Sequence, residues 1–277
     1  MKKILVPTDF SSTSSHAFRF ACDIASRTKA EIYLLNVIEF PRLNGSLPVP
    51  VQAYEQAYIK SLRAKASKSF DEFKSKWGKK LKIHFSIEHG SISNIAQKFA
   101  TKKKIDLIVM GTHGASGVAE YFIGSNAEKL VQTSKVPVIS IKSYSPVSSI
   151  KHLIFPTNLR SGQNKLLARV KSLQDFFKAR LELLFVNTPG DFRRDVFVEK
   201  RLKEFAKENK LRNFTLNIFN DIDEEEGIIN FASKFKNYII AMSTHGRKGI
   251  NHLFSGSIAE DVVNHIRGPV WTLTFAG

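Results

Sequence analysis

Residues 107–142 and 239–274 are two versions of one stretch, LIVMGTHG…VPVISIK and IIAMSTHG…GPVWTLT, with fourteen of 36 positions identical at a constant spacing of 132. Such a repeat constrains the fold before any motif is read. Its period is far too long for a solenoid, so it predicts two copies of one domain, of roughly 145 and 125 residues, sizes at which each can bury its own core. Each copy opens on an apolar run, Ile105 to Met110 and Tyr238 to Met242, as expected of a parallel strand covered on both faces. A glycine-rich turn follows. Gly124-Ser125 and Gly256-Ser257 then open segments of helical spacing, and a second apolar strand enters behind Pro137 or Pro269. Strand, glycine loop, helix and strand make an α/β unit.

The first half fills in around that unit. Ile4 to Asp9 reads as a strand ending in polar residues, and a helix capped near Ser11 follows, with Ala17, Phe18, Ala21, Ile24 and Ala25 facing inward. Ile32 to Val37 is the next strand, which makes an early parallel βαβ start. Residues 38–52 hold Pro41, Gly45, Pro48 and Pro50 and read as a surface loop; residues 53–77 read as a basic helix, 81–87 as a strand ended by Gly90, and 92–100 as a helix closed by Lys102 to Lys104. The polar stretch Ser143 to Ser149 is a linker with little room for free domain motion. Leu153 to Asn158 and Leu181 to Val186 repeat the first two strands at a spacing of 149, so the second copy is 17 residues shorter by the glycine loop, a loss assigned to the proline-rich loop and basic helix. Residues 196–209 and 213–219 read as helix and strand. The acidic run from Asp221 to Glu226 reads as a solvated helix start, in preference to a metal site, since no histidine lies nearby.

Composition narrows the function. One cysteine, Cys22, cannot form an intramolecular disulfide; it lies among Ala and Ile, reads as a core thiol and fits a reducing, cytoplasmic setting. The N-terminus lacks a signal-peptide pattern, and no apolar run reaches membrane-spanning length, so no membrane insertion is expected. The net charge is +17, with 22 basic and 11 acidic residues in 1–149 and 20 and 14 in 150–277. Such a field favours anionic partners without choosing among them. Direct nucleic-acid binding by the basic segment 60–82 ranks second to a solvated helix whose aromatics, Phe70, Phe73 and Trp77, turn to the core.

In an open parallel sheet, ligands bind beyond the C-terminal strand ends where the strand order reverses. That edge collects Pro7, Thr8, Asp9, Val37 and the loop from Gly111 to Ser125. Gly124-Ser125 brings amides, a hydroxyl and a helix N-terminus to one spot suited to phosphate. Asp9 can accept from an adenine amino group or a ribose hydroxyl, or it can serve the helix near Ser11; Val37 can wall a base. The loop has neither the P-loop lysine nor the dinucleotide GxGxxG pattern. No Ser-His-Asp or Cys-His set is evident, and His113 and His245, in matching loops, serve as well to shape a turn as to act as a base.

These residues resemble a known family. The pattern Gly111-x2-Gly114-x9-Gly124-Ser125 and the opening Val6-Pro7-Thr8-Asp9-Phe10-Ser11-x2-Ser14-x2-Ala17 are similar to the nucleotide-binding signature and start of universal stress proteins, and the chain resembles a tandem of two UspA-like domains. The resemblance implies two Rossmann-like (adenine nucleotide alpha hydrolase-like) α/β domains, 1–143 and 151–277 with a linker at 144–150, each a five-stranded parallel sheet of order 3-2-1-4-5 flanked by helices. It implies ATP, AMP or ADP in the first domain, with Mg²⁺ or Mn²⁺ as the nucleotide's partner and slow hydrolysis at most. Asp9 and Val37 would hold the adenosine end; Gly111, Gly114, Gly124 and Ser125 would hold ribose and phosphates, with Thr112, His113 and Asn126 nearby and Pro7, Thr8 and Met110 also lining the nucleotide site. It also implies an internal pseudo-dimer through strands 138–142 and 270–274, and leaves a further homodimer open. The second copy departs from the pattern at Asn158 and Ser243, so weak or absent nucleotide binding is expected there, with another metabolite as the alternative; for the whole chain the alternative is a scaffold whose proline-rich loop contacts a protein partner.

Overall fold

The computed structural model describes residues 1–39, 49–112, 124–159, 164–245 and 256–275. The first half runs β1 (Lys3–Pro7), α1 (Ser12–Thr28), β2 (Glu31–Ile38), α2 (Val49–Trp77), β3 (Ile83–His89), α3 (Ile92–Lys103), β4 (Leu107–Gly111), α4 (Ser125–Thr133) and β5 (Val138–Ile141). The second runs β6 (His152–Pro156), α5 (Asn164–Phe177), β7 (Arg180–Asn187), α6 (Asp195–Glu208), β8 (Phe214–Asn220), α7 (Glu224–Ala232), β9 (Tyr238–His245), α8 (Gly256–His265) and β10 (Val270–Phe275). All ten strands join one sheet in the order β3-β2-β1-β4-β5-β10-β9-β6-β7-β8. Every neighbouring pair is parallel except β5–β10, which is antiparallel with Val270 opposite Ser140, Trp271 opposite Ile139 and Thr272 opposite Val138. The two halves are thus an internal pseudo-dimer joined through their last strands.

Alternation along the strands feeds two cores. Ile4, Val6, Ile32 and Leu34 face one side with α1, α5 and α6; Leu5, Leu35, Ile108 and Met110 face the other with α3, α4, α7 and α8. Both cores run across the junction, where Ile139, Ile141 and Trp271 are at most 3% exposed. Burying an indole of this kind contributes about 5 kcal/mol before entropy is counted. The aromatics of α2 turn inward as expected: Phe73 and Trp77 lie against Phe18, and Phe70 stacks on Phe85 at 4.5 Å.

Several boundaries differ from the sequence reading. Helix α2 begins at Val49, so Pro50 belongs to its first turn, where a helix needs no amide from it. Pro41, Gly45 and Pro48 lie outside the described residues. Strand β3 starts at Ile83 because Leu81 is held in a turn, its N–H donating to Gly78 O. Helix α6 has 14 residues against 29 in α2, which is where the second copy is shorter. The linker is less polar in practice than its composition suggests: Val147 is fully buried, and both the Tyr144 hydroxyl and the Val147 N–H donate to Asp23 Oδ2 on α1 at 2.9 and 3.1 Å. The Arg19 guanidinium lies 3.6 Å from the Tyr144 ring. A segment read as a joint is docked on the first domain. At the acidic run, Asp223 caps α7 by accepting from Glu226 N at 2.8 Å, and Glu224 to Glu226 form the first turn, the helix start the sequence suggested.

Candidate nucleotide site

The strand order reverses between β1 and β4, since β2 and β3 lie on one side of β1 and β4 and β5 on the other. The ladder there pairs Ile4 with Leu107 and Leu5 with Ile108 and then lapses, although β1 continues to Pro7 and β4 to Gly111. Beyond Leu5 and Ile108 the pairing is not continued at the C-terminal edge, the crevice position where open α/β sheets take ligands.

One wall is the turn from β1 into α1. Thr8 N donates to Leu35 O at 2.8 Å, Thr8 Oγ1 accepts from Phe10 N at 3.0 Å and donates to Ser14 Oγ at 3.1 Å. Phe10 sits at φ 63°, a left-handed conformation that side chains seldom adopt. Its ring packs edge-on to Phe73 at 5.3 Å, which holds the turn in place. Asp9 is exposed at the tip, with Oδ1 accepting from Ser11 N at 3.0 Å, and Ser11 itself caps α1 by accepting from Ser14 N. The carboxylate therefore supports the turn from an exposed position. Asn36 adds a support that the motif did not reveal, donating to Thr8 O at 2.8 Å; a polar residue inside the apolar run YLLNV was the available signal. Val37 is half-buried on β2 opposite Glu88.

The other wall is the glycine loop's frame. A Cβ on Gly111 would stand 2.8 Å from Thr13 C and 2.9 Å from Ser14 N. Glycine is needed here because the first turn of α1 lies directly against the end of β4, a packing reason that spacing alone did not supply. Thr112, 2% exposed, donates its N–H to Ile141 O and accepts from Gly124 N at 2.7 Å, which pins the two ends of the loop together. Gly124 is the N-cap of α4 and provides no side-chain cap; its carbonyl accepts from Ala127 N and Glu128 N. Among the described residues no side chain caps this helix start, which carries the positive end of the dipole. Asn126 is half-buried in this first turn.

The other candidate residues divide. Pro7 and Met110 are buried, Met110 in the core against α3 and α4, so at the crevice they offer backbone and not side chain. His113 and Gly114 lie outside the described residues, as does Gly246 of the second copy. His245 ends β9 and is a strand residue, where the sequence suggested a loop. Cys22 is buried in α1, and burial together with the nearby Asp23 charge pushes its thiol up to about 12, the inert core role its neighbours suggested.

The second half repeats the architecture and changes the lining. The β6–β9 ladder also stops early, at Ile154 and Ile240. Thr157 Oγ1 accepts from Leu159 N at 3.1 Å, and Leu159 has φ 59°. Asn158 is exposed where Asp9 stood, and Ser243, half-buried, occupies the place of Gly111.

This is the architecture of a Rossmann-like α/β domain, present twice. The sequence profile of the universal stress protein family matches residues 1–142 and 149–273, and the chain belongs to that family. Universal stress protein MJ0531 of Methanocaldococcus jannaschii is 33% identical over 144 residues, 51% of this chain and 82% of its own length. MJ0577 of the same organism is 31% identical over 157 residues, 51% of this chain and 94% of its own. A universal stress protein from Archaeoglobus fulgidus has the same fold over 98% of both chains, with TM-score 0.75 at 20% identity. The Pseudomonas aeruginosa protein PA1789 matches 99% of this chain and 92% of its own with TM-score 0.67 at 14% identity.

Proposed function

We propose that the first domain binds an adenine nucleotide, ATP or its AMP or ADP relatives, and that the protein serves a cytoplasmic stress response or signalling role by changing shape or partners with occupancy. The observation that carries this reading is the end of the β1–β4 pairing at Leu5 and Ile108, between exposed Asp9 and the helix start at Gly124. Phosphates would accept from the leading amides of α4, in line with its dipole and with the loop frame at Thr112. Asp9 would accept from the adenosine end, and Val37 would cover one face of the base. The donors around Gly124 suit an anion, so Mg²⁺ or Mn²⁺ would arrive with the nucleotide and bind chiefly to its phosphates. Any hydrolysis would be slow, because charge stabilisation alone does not activate water. The domain bounds we assign are 1–143 and 151–277, with the linker at 144–150, each an adenine nucleotide alpha hydrolase-like unit.

Site two would bind the nucleotide weakly or not at all. Asn158 exchanges a charged acceptor for an amide, and Ser243 adds a side chain at a position where the first copy has no room for one. Titration calorimetry of the full chain with Mg·ATP tests the reading. We expect one strong site, weakened about 30-fold or more by Gly124→Val, with unfolding monitored by circular dichroism to show that the variant is folded. Undiminished binding in a folded Gly124→Val protein moves the site elsewhere.

A further inference from the structure

Each parallel half sends its helix C-termini to the edge where its strands begin, the edge opposite the crevice. In the first half that rim carries Lys2 and Lys3 at the start of β1, Lys29 after α1, and Lys79 and Lys80 after α2. The run Lys102 to Lys104 closes α3 beside them. The rim is contiguous: Lys3 Nζ donates to Lys103 O at 3.0 Å, and Lys3 and Lys103 both lie about 6 Å from the Tyr33 ring centre. Its carboxylates are committed. Glu31 pairs with Lys82 at 2.6 Å and His84 at 3.0 Å, and Asp106 accepts from the backbone N–H groups of Lys2 and Lys3.

Lysine near a helix C-terminus is favoured by the dipole, and that would explain any one of these residues. Two observations go further. First, Lys2, Lys29, Lys79 and Lys104 recur at their matching positions as Lys151, Lys178, Lys210 and Lys236, in copies whose best-matched stretch keeps only fourteen of 36 identities. Second, Lys29, Lys104, Lys178 and Lys210 have φ of 57°, 54°, 53° and 50°, the left-handed conformation that glycine adopts without strain. The chain places lysine where the backbone alone would select glycine.

We infer that these two rims are docking surfaces for the phosphate backbone of double-stranded nucleic acid, bound without sequence preference. The fit is one of charge density. Three strand spacings make the rim about 15 Å long, and a duplex carries one negative charge per about 1.7 Å of axis, so several phosphates meet the rim at once. Lysine supplies point charges without the planar fork that reads base edges. An anionic membrane fits less well. Among the described residues the only large apolar side chain exposed on this rim is Met1, and interfacial binding draws on buried apolar area. The antiparallel β5–β10 junction also sets the two rims on opposite edges of the sheet, so a flat surface meets only one while separate duplex segments can meet both. The proposed surface is not the outer face of α2, and it does not depend on nucleotide binding at the opposite edge.

The test is fluorescence anisotropy of the full chain with a labelled 30-base-pair duplex of arbitrary sequence at 50 and 200 mM NaCl. For about five phosphate contacts, affinity should fall on the order of 10² to 10³-fold between those salts. One variant neutralises the first rim (Lys79→Gln, Lys80→Gln, Lys102→Gln, Lys104→Gln) and another the second (Lys151→Gln, Lys178→Gln, Lys210→Gln, Lys236→Gln). Each alone should lower the number of duplexes bound per chain at 50 mM from two to one, and the two combined should weaken binding by about tenfold or more and flatten the salt dependence, while Lys→Arg changes at the first rim's four positions retain it. Circular dichroism melts check that each variant is folded. Absence of duplex binding at 50 mM overturns the proposal. So does binding that survives both neutralised rims, or capture by phosphatidylserine vesicles with no affinity for the duplex.

Discussion

The two halves share a framework and differ in what faces the crevice. Thr8 and Thr157 make the same bond to the second residue after them, and Phe10 and Leu159 hold the same left-handed turn. Both ladders stop at the same step, Leu5–Ile108 and Ile154–Ile240. These features belong to the fold, because a half with a diverged lining keeps them. Asp9 against Asn158 and Gly111 against Ser243 are where the halves part. The comparison therefore separates residues that build the crevice from those that would read a ligand in it.

The largest expected effect tests the crowding at Gly111. Gly111→Val should destabilise the chain by about 3 kcal/mol or more, since a side chain there meets backbone of α1 and not a movable group. Ser243→Gly in the other half should change stability by less than about 1 kcal/mol. Urea unfolding reads both; equal effects would erase the proposed difference between the two lips. Next comes the linker. Asp23→Ala removes the acceptor for Tyr144 and Val147, which should cost about 1–2 kcal/mol and speed limited proteolysis between 143 and 150. If the cleavage rate is unaltered, the linker is held by the burial of Val147 alone.

A comparable but smaller change is expected at the junction. The Thr244 hydroxyl bonds Thr274 Oγ1 at 2.7 Å and donates to Val131 O on α4 at 3.2 Å, a carbonyl that Thr274 Oγ1 also reaches at 3.2 Å, so Thr244→Val should cost about 1 kcal/mol with Thr274 still able to donate to Val131 O. Thermal melting checks this, and an unchanged midpoint would mean that the halves are coupled through the β5–β10 strands and not through these hydroxyls. The smallest effect concerns Cys22, whose matching position in the second half is Lys171. Its folded-state pKa of about 12 lies above the ordinary 9.0, so the protonated thiol is the form that burial favours. The associated stability is fully present below pH 9 and is lost as pH rises toward 12. At pH 8 the native thiol should resist alkylation that proceeds readily in urea; equal rates by mass spectrometry would show α1 opening locally.

Much of this was legible in the chain. The repeat, the apolar runs and the glycine punctuation were enough for two α/β units, and the spacing of 149 giving way to 132 located the shortening that α6 displays. The polar strand ends and the Gly124-Ser125 helix start were legible for the same reason: turns and caps are local chemistry. Less was legible where a residue answers to a distant partner. Nothing local marked Gly111 as the seat of α1, nor Thr112 and Thr244 as the residues that close a loop and bind the neighbouring half. Val147 looked like part of a polar joint because its burial comes from a surface that only folding assembles.

The amino-acid order by itself determined the number of units, their strand and helix succession, and the helix start at Gly124-Ser125, since all of these follow from periodicity and short-range hydrogen bonding. The tertiary structure alone decided how far β1 and β4 stay paired, which glycine is sterically required, and how two sheets merge into one through an antiparallel seam. Those outcomes depend on contacts between residues more than a hundred positions apart, and the energy of such contacts is not written in any local pattern.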